Sequence, residues 1–313
     1  MRWLAAIETL MSSSSPVFNL DDEAAYRCWR EQKLAAAPHS SADLIVDVAD
    51  PCALTVAERD ALLQRCASAN MAIYRSPRLD ADKVIPRRMA EQLGLQQLDG
   101  NWLADEDGIS QIAVASPGGA GTMAYIPYTN RPIKWHTDGY YHPAERTIRA
   151  MILHCVRQAR SGGETALMDH ELAYMAVRDA NPDWVRALMR NDAMTIPARM
   201  DDEGIARAEQ TGPVFSVDGE GHLHMRYTAR THSIEWHSDP DVRAAAAYLT
   251  QLLALPEAPV WRLRLASGMG LICNNVLHDR AGFEDDPAQP RLLYRARYLD
   301  RIVDRIASPA RSA

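Results

Sequence analysis

Residues 270–298, GLICNNVLHDRAGFEDDPAQPRLLYRARY, contain two β-rich runs joined by a stretch of Gly, Asp and Pro. Runs of this kind, bounded by turn formers, read as antiparallel strands. The first run ends on His278, and the second carries Arg291 and Arg295. Residues four apart on one strand share a face, so both guanidinium groups enter the same space. The same grammar extends outward to residues 109–138, ISQIAVASPGGAGTMAYIPYTNRPIKWHTD, to TIRAMILHCV (147–156), ETALMD (164–169), GHLHMRYT (221–228) and the run from Val260. This succession predicts an antiparallel barrel or sandwich.

Helical patterns flank and interrupt these runs. DDEAAYRCWREQKLAAAP (21–38) reads as a helix stopped by Pro38, and TVAERDALLQRCASAN (55–70) opens with the capping-box pair Thr55 and Glu58. Residues 81–95, 170–191 and 240–256 also carry helical composition, whereas DLIVDV (43–48) and MAIYRS (71–76) read as strands. The chain is expected to be mainly β with flanking helices. Residues 1–50 form an N-terminal helical appendage joined through SSSS (12–15), and residues 51–313 a single domain. SPGGAGTM (116–123) lacks the lysine of a phosphate loop and reads as a turn or a lid.

Bulk properties exclude several function classes. With 34 basic against 41 acidic residues and a net charge of −7, the chain lacks the basic surface of a nucleic-acid binder. Five widely spaced cysteines without a CxxC pair read as reduced thiols, which points to the cytoplasm. The apolar patch of the first residues is interrupted by Glu8 and does not read as a signal peptide, and no apolar run reaches the roughly 18 residues that a bilayer requires. The expected partner is a small molecule rather than nucleic acid or membrane, with a homo-oligomer left open.

Within PIKWHTDGYYHP (132–143), His136 and Asp138 stand two apart and reach one ion if the backbone there is extended. Spacing alone is weak, because His237 with Asp239 and His222 with His224 repeat it. His278 supplies a third ligand. Two histidines and a carboxylate suit non-haem Fe(II), leaving three positions for a co-substrate and O2, but catalytic zinc takes a similar set. Arg291 and Arg295 favour the iron reading, since paired guanidinium forks suit a dicarboxylate. Trp135 reads as core, and His142 and His154 as structural.

WHTDGYY, GGETALMD (162–169), NNVLHDRAGF and RLLYRARY, in this order from about Met71 to Ile302, resemble the TauD/TfdA-like family of Fe(II)- and 2-oxoglutarate-dependent dioxygenases, including its γ-butyrobetaine-hydroxylase-like members. The first seventy residues match that pattern poorly. The resemblance implies a double-stranded β-helix (a cupin-like jelly roll) and cofactors Fe(II), 2-oxoglutarate and O2. It implies His136, Asp138 and His278 as metal ligands, and Thr165 and Arg291 as 2-oxoglutarate contacts. Arg295 falls near both the co-substrate and the acidic group of the substrate, in a binding and a catalytic role. Many relatives carry aspartate where Glu164 stands, which leaves the Thr165 assignment intact, and the presence of Asp138 argues against a halogenase.

The activity so implied is hydroxylation of an unactivated C–H bond in a small anionic or zwitterionic molecule, with release of succinate and CO2. Tyr140, Tyr141 and Asn275 are the candidate substrate contacts. Alternatives are oxygenative cleavage beside a heteroatom in a sulfonate- or ether-type substrate, and a zinc hydrolase on the same scaffold, for which no general base is evident.

Overall fold

The computed structural model describes residues 16–100, 107–115, 125–201 and 204–303, so the expected joint at 12–15 and lid at 116–123 lie outside the described residues. The chain falls into two compact units, one comprising Pro38–Asp169, Tyr227–Arg230 and Glu257–Ala313, the other Met1–Ala37, His170–Arg226 and Thr231–Pro256.

The first unit contains a six-stranded and a four-stranded sheet. In the larger, the order is Ile45–Asp47, Met71–Arg75, Met269–Cys273, Ala150–Arg157, Leu292–Tyr298, Ser110–Ile112. Its first pair is parallel and the others antiparallel. In the smaller, the order is Trp261–Leu263, Thr165–Met168, Leu277–Arg280, Ile133–His136, with antiparallel pairing throughout. The fold is a jelly roll, as the family resemblance implies.

The two faces of the large sheet separate by residue parity, because successive side chains on a strand point to opposite sides. Ala72, Tyr74, Ala150, Ile152, Ile272, Tyr294, Ala296 and Tyr298 join a core with Leu62, Leu63 and Cys66 of the helix Val56–Ala69 and with Met89 and Ala90 of Val84–Gln92. Met71, Ile73, Met151, Cys155, Leu271, Cys273 and Leu293 join a second core with Leu167 of the small sheet. The odd-numbered residues of the last strand, Leu293, Arg295 and Arg297, therefore share the face turned toward the small sheet. Arg291 precedes this strand by one residue in the same parity.

Local signals account for the helices. Thr55 and Glu58 form the expected capping box, and Asn70 ends that helix in the left-handed region with φ +57°. The second unit holds Glu23–Ala35, His170–Ala180, Pro182–Leu188 and Pro240–Leu252. The single helical run expected over 170–191 is broken at Asn181. Its side chain caps the second helix by accepting from the Asp183 N–H, and Pro182 brings no N–H to continue the first. Tyr174 anchors this unit, meeting the rings of Phe18 and Phe215 edge-on, each at 5.4 Å. No described helix is long and apolar enough to cross a membrane.

Candidate metal centre

His278 pairs directly with His136 across the small sheet. Directly opposed residues of an antiparallel pair hold their Cβ atoms close, and here the two imidazole centroids lie 4.2 Å apart. Each ring accounts for its Nδ1 locally, His136 on the Lys134 carbonyl and His278 on the Val276 carbonyl, both at 2.9 Å. A carbonyl only accepts, so both Nδ1 atoms carry the proton and both Nε2 lone pairs are left for a ligand.

Asp138 reaches the same point by a route different from the one the spacing suggested. The strand ends at His136 and Asp138 stands in the following turn, ahead of Gly139 at φ +70°. Asn275 places it: its Oδ1 accepts from the Asp138 N–H at 2.7 Å, while its Nδ2 donates to the carbonyls of Asp138 at 2.9 Å and Ile148 at 2.7 Å. Asn275 is buried at φ +51°, a backbone state that asparagine tolerates better than most residues. Its amide serves the backbone on both sides of the turn, which makes it a positioning group for the carboxylate where the sequence suggested a substrate contact.

The ligand atoms of His136, Asp138 and His278 all lie within 4.8 Å of one another, the only such cluster among the described residues. Asp138 Oδ2 is buried without a hydrogen bond, 3.2 Å from Arg295 Nη1. Burial pushes this carboxyl up, but Arg295 first, then His136 and Arg297, hold it well below the usual carboxylate range. Burial lowers the His278 imidazole to about 4, helped by His136. An anionic Asp138 and a neutral His278 are the protonation states in which such groups bind a divalent cation. The donor set therefore fits the expected ion.

Arg291 and Thr165 are both buried in the same unit. The Arg291 guanidinium sits 4.9 Å from the centroid of the Phe283 ring, with Arg280 at 5.0 Å from that same centroid. Neither arginine has a carboxylate at ion-pair distance among the described residues, and Arg291 Nη1 is buried without a hydrogen bond. Burial lowers both guanidinium groups, Arg280 to about 9 with Arg291 contributing. Two buried cations facing one ring form a place for a dianion.

The GGET turn closes against this region, with Gly163 N–H donating to Gly282 O and Ala281 N–H to Glu164 O. A side chain on Gly162, at φ +71°, would meet Gly282 O at 2.4 Å, which explains the glycine.

Sequence reading missed Arg280, although its position two residues beyond His278 on one strand was a usable signal. Arg280 donates to the carbonyls of Pro127, Thr129 and Arg131, tying that loop to the strand. Tyr140 is buried with its ring edge-on to His136 at 6.4 Å, and Tyr141 accepts a hydrogen bond from Arg297 Nη1 at 3.1 Å. The two tyrosines meet edge-on at 5.2 Å within the turn. Trp135 is buried, and His154 is buried with its Nδ1 2.7 Å from the Tyr74 hydroxyl. The other His-x-Asp pair has its own partners: His237 Nε2 lies 3.5 Å from Asp192, and Asp239 caps the helix Pro240–Leu252. His222 lies 3.4 Å from Asp218, and His224 is buried in the strand Leu223–Met225.

Comparison with known proteins agrees with this architecture. A family model described as taurine catabolism dioxygenase TauD, TfdA family matches residues 34–297, beginning well ahead of Met71. A uridine-5′-phosphate dioxygenase from Amycolatopsis sp is 36% identical over 175 residues, covering 53% of this chain and 60% of that protein. A second, from Streptomyces sp, is 30% identical over 218 residues, covering 61% of this chain and 70% of that one. Among solved structures, AAD-2 in complex with Mn(II) and N-oxalylglycine superposes with a TM-score of 0.57 at 15% identity, over 84% of this chain and 96% of that one. The non-heme iron oxygenase OrfP, with Fe and α-ketoglutaric acid, gives 0.55 at 16% identity, over 78% and 80%.

Proposed function

We propose, from the premise that this chain belongs to the taurine catabolism dioxygenase TauD, TfdA family, that it hydroxylates a C–H bond of a small anionic molecule held beside His136, Asp138 and His278. The family is one of non-haem iron dioxygenases with Fe(II), 2-oxoglutarate and O2 as its cofactor set. The observation that carries the reading is the convergence of those three ligand atoms, in the same compact unit as two buried arginines without an ion-paired carboxylate among the described residues. The substrate class we assign is a nucleoside 5′-phosphate, on the strength of what the two curated relatives act on. Five cysteines without a disulfide suit a cytoplasmic setting, and residues 51–313 act as the catalytic domain in this reading.

When bound, the cofactors supply the oxidative decarboxylation of 2-oxoglutarate to succinate and CO2 that drives oxygen insertion into the C–H bond. The protein's part is positioning and charge. His136 and His278 present Nε2 with their tautomers fixed from behind by backbone carbonyls. Asp138 stays anionic because Arg295 faces it. Arg291, with the Thr165 hydroxyl, takes the distal carboxylate of 2-oxoglutarate and so orients the keto acid by its far end. Arg280 adds a second positive charge there, since both guanidinium groups lie within 5.0 Å of the Phe283 ring centroid.

The test is succinate formation from 2-oxoglutarate by metal-free protein resupplied with Fe(II) under air, with nucleoside 5′-phosphates, amino acids, betaines and sulfonates compared. Succinate that requires iron and rises with a nucleotide, together with a product heavier by one oxygen atom, is the expected result. Aldehyde and released sulfite or phosphate in place of an alcohol would replace hydroxylation by cleavage. No succinate with any panel member would overturn the reading.

A further inference from the structure

The geometry points to Arg230 as the residue that recognises the anionic group of the substrate, a proposal that rests on the functional reading above and deepens it. Residues Tyr227–Arg230 are the only part of the stretch between His170 and Pro256 that belongs to the same compact unit as the three metal-ligand candidates. They run alongside the strand that carries His136: Thr137 N–H donates to Tyr227 O at 3.0 Å, Tyr227 N–H to Thr137 Oγ1 at 3.1 Å, and Ala229 N–H to Trp135 O at 2.8 Å. Thr228 forms a bridge with His136 itself. The backbone on which Arg230 sits is therefore fixed relative to the candidate metal ligand, even though its side chain is exposed.

That side chain has no ion-pair partner among the described residues. Its guanidinium lies 5.8 Å from the centroid of the Tyr140 ring, and that ring lies 6.4 Å from His136. The Tyr140 ring is thus a common neighbour of the candidate metal ligand and of this cation. A molecule with its reacting carbon near His136 and its anionic group on Arg230 would pass along Tyr140, the ring that both residues neighbour. Arg295, by contrast, is already engaged by Asp138 at 3.2 Å, and Arg297 by Asp99 at 2.7 Å. Arg230 is left with an unused fork, the geometry that takes a phosphate through two parallel hydrogen bonds.

The experiment compares wild-type protein with Arg230→Ala and Arg230→Lys, each loaded with Fe(II) and 2-oxoglutarate without O2, titrated with uridine-5′-phosphate and with uridine by calorimetry. KM and kcat are then measured in air. Wild-type protein is expected to favour the phosphate over the nucleoside. Arg230→Ala should weaken phosphate binding by roughly tenfold to a hundredfold, the usual consequence of losing hydrogen bonds to a charged group. It should leave uridine binding where it was and act on KM more than on kcat, with Arg230→Lys recovering part of the loss. A phosphate preference unchanged in Arg230→Ala overturns this proposal and leaves the dioxygenase reading standing. Equal weakening of both probes also overturns it, since that reports a disturbed pocket. Wild-type protein that consumes 2-oxoglutarate with iron but prefers uridine overturns the role of Arg230 alone. Wild-type protein that consumes no 2-oxoglutarate overturns the functional reading, before any variant is considered.

Discussion

His136 with Asp138 and His237 with Asp239 have the same spacing, and the chain uses them for different ends. At the first pair, the strand ends, Asn275 grips the backbone of Asp138, and His278 arrives directly opposite from a strand more than a hundred residues away. At the second, the carboxylate accepts from Asp241 N–H to start a helix, and the imidazole faces Asp192. Two residues set the chemical type, whereas the third partner and the backbone clamp decide whether a ligand set exists. A carboxylate committed to a helix cap has little capacity left for an ion, while Asp138 keeps a buried oxygen without a hydrogen bond.

The difference can be broken most severely at His136 or His278. Replacement of either by alanine should abolish Fe(II) binding as measured by anaerobic calorimetry, with circular dichroism reporting an intact fold. Iron bound at near wild-type affinity in both variants would show that the cluster is not the metal site. Next in size is Arg291→Ala. Leaving a dianion without its buried fork should raise the 2-oxoglutarate concentration required by roughly a hundredfold, with iron affinity nearly unchanged. Equal loss of both would remove the separate role given to Arg291.

Asn275→Ala sharpens the comparison, because it removes the clamp while leaving every ligand atom in the sequence. We expect iron affinity to fall by about tenfold to a hundredfold, the range seen for groups that orient metal ligands. An affinity equal to wild type would mean that the turn at Asp138 and Gly139 holds itself. The smallest effect belongs to His237→Ala, for which iron binding should not change and stability should fall by less than about 1 kcal/mol, as expected for loss of a surface polar contact. Loss of iron in that variant would show that the wrong pair was chosen.

Much of this contrast was legible in the sequence, and the limits have physical causes. Alternating apolar residues marked the strands, because strand parity is local, whereas Arg291 falls one residue ahead of the strand it was expected to share with Arg295. The capping box at Thr55 and the stop at Pro38 were equally local. The clamp by Asn275 was not, since an amide that reaches residues 138 and 148 depends on how distant strands align. Nor was the placement of Arg230, whose neighbours at 135–137 are reached only through three-dimensional pairing. The break at Asn181 was visible as Asn-Pro, yet the apolar periodicity on either side ran across it.

The parity of Leu292–Tyr298 gives that strand something like a reading frame. Tyr294, Ala296 and Tyr298 pack beneath the helices, while Leu293, Arg295 and Arg297 face the other way. Deleting one residue within the strand would exchange the two sets beyond the deletion, burying guanidinium groups among apolar side chains or turning tyrosines to the opposite face. Deleting two would preserve the faces and only move each charge along by one pleat. The turn at 285–290 lies ahead of this frame and its length does not set the faces; the odd changes that matter are those between Leu292 and Tyr298, a strand whose ladder already shifts register once, between Leu292 and Leu293.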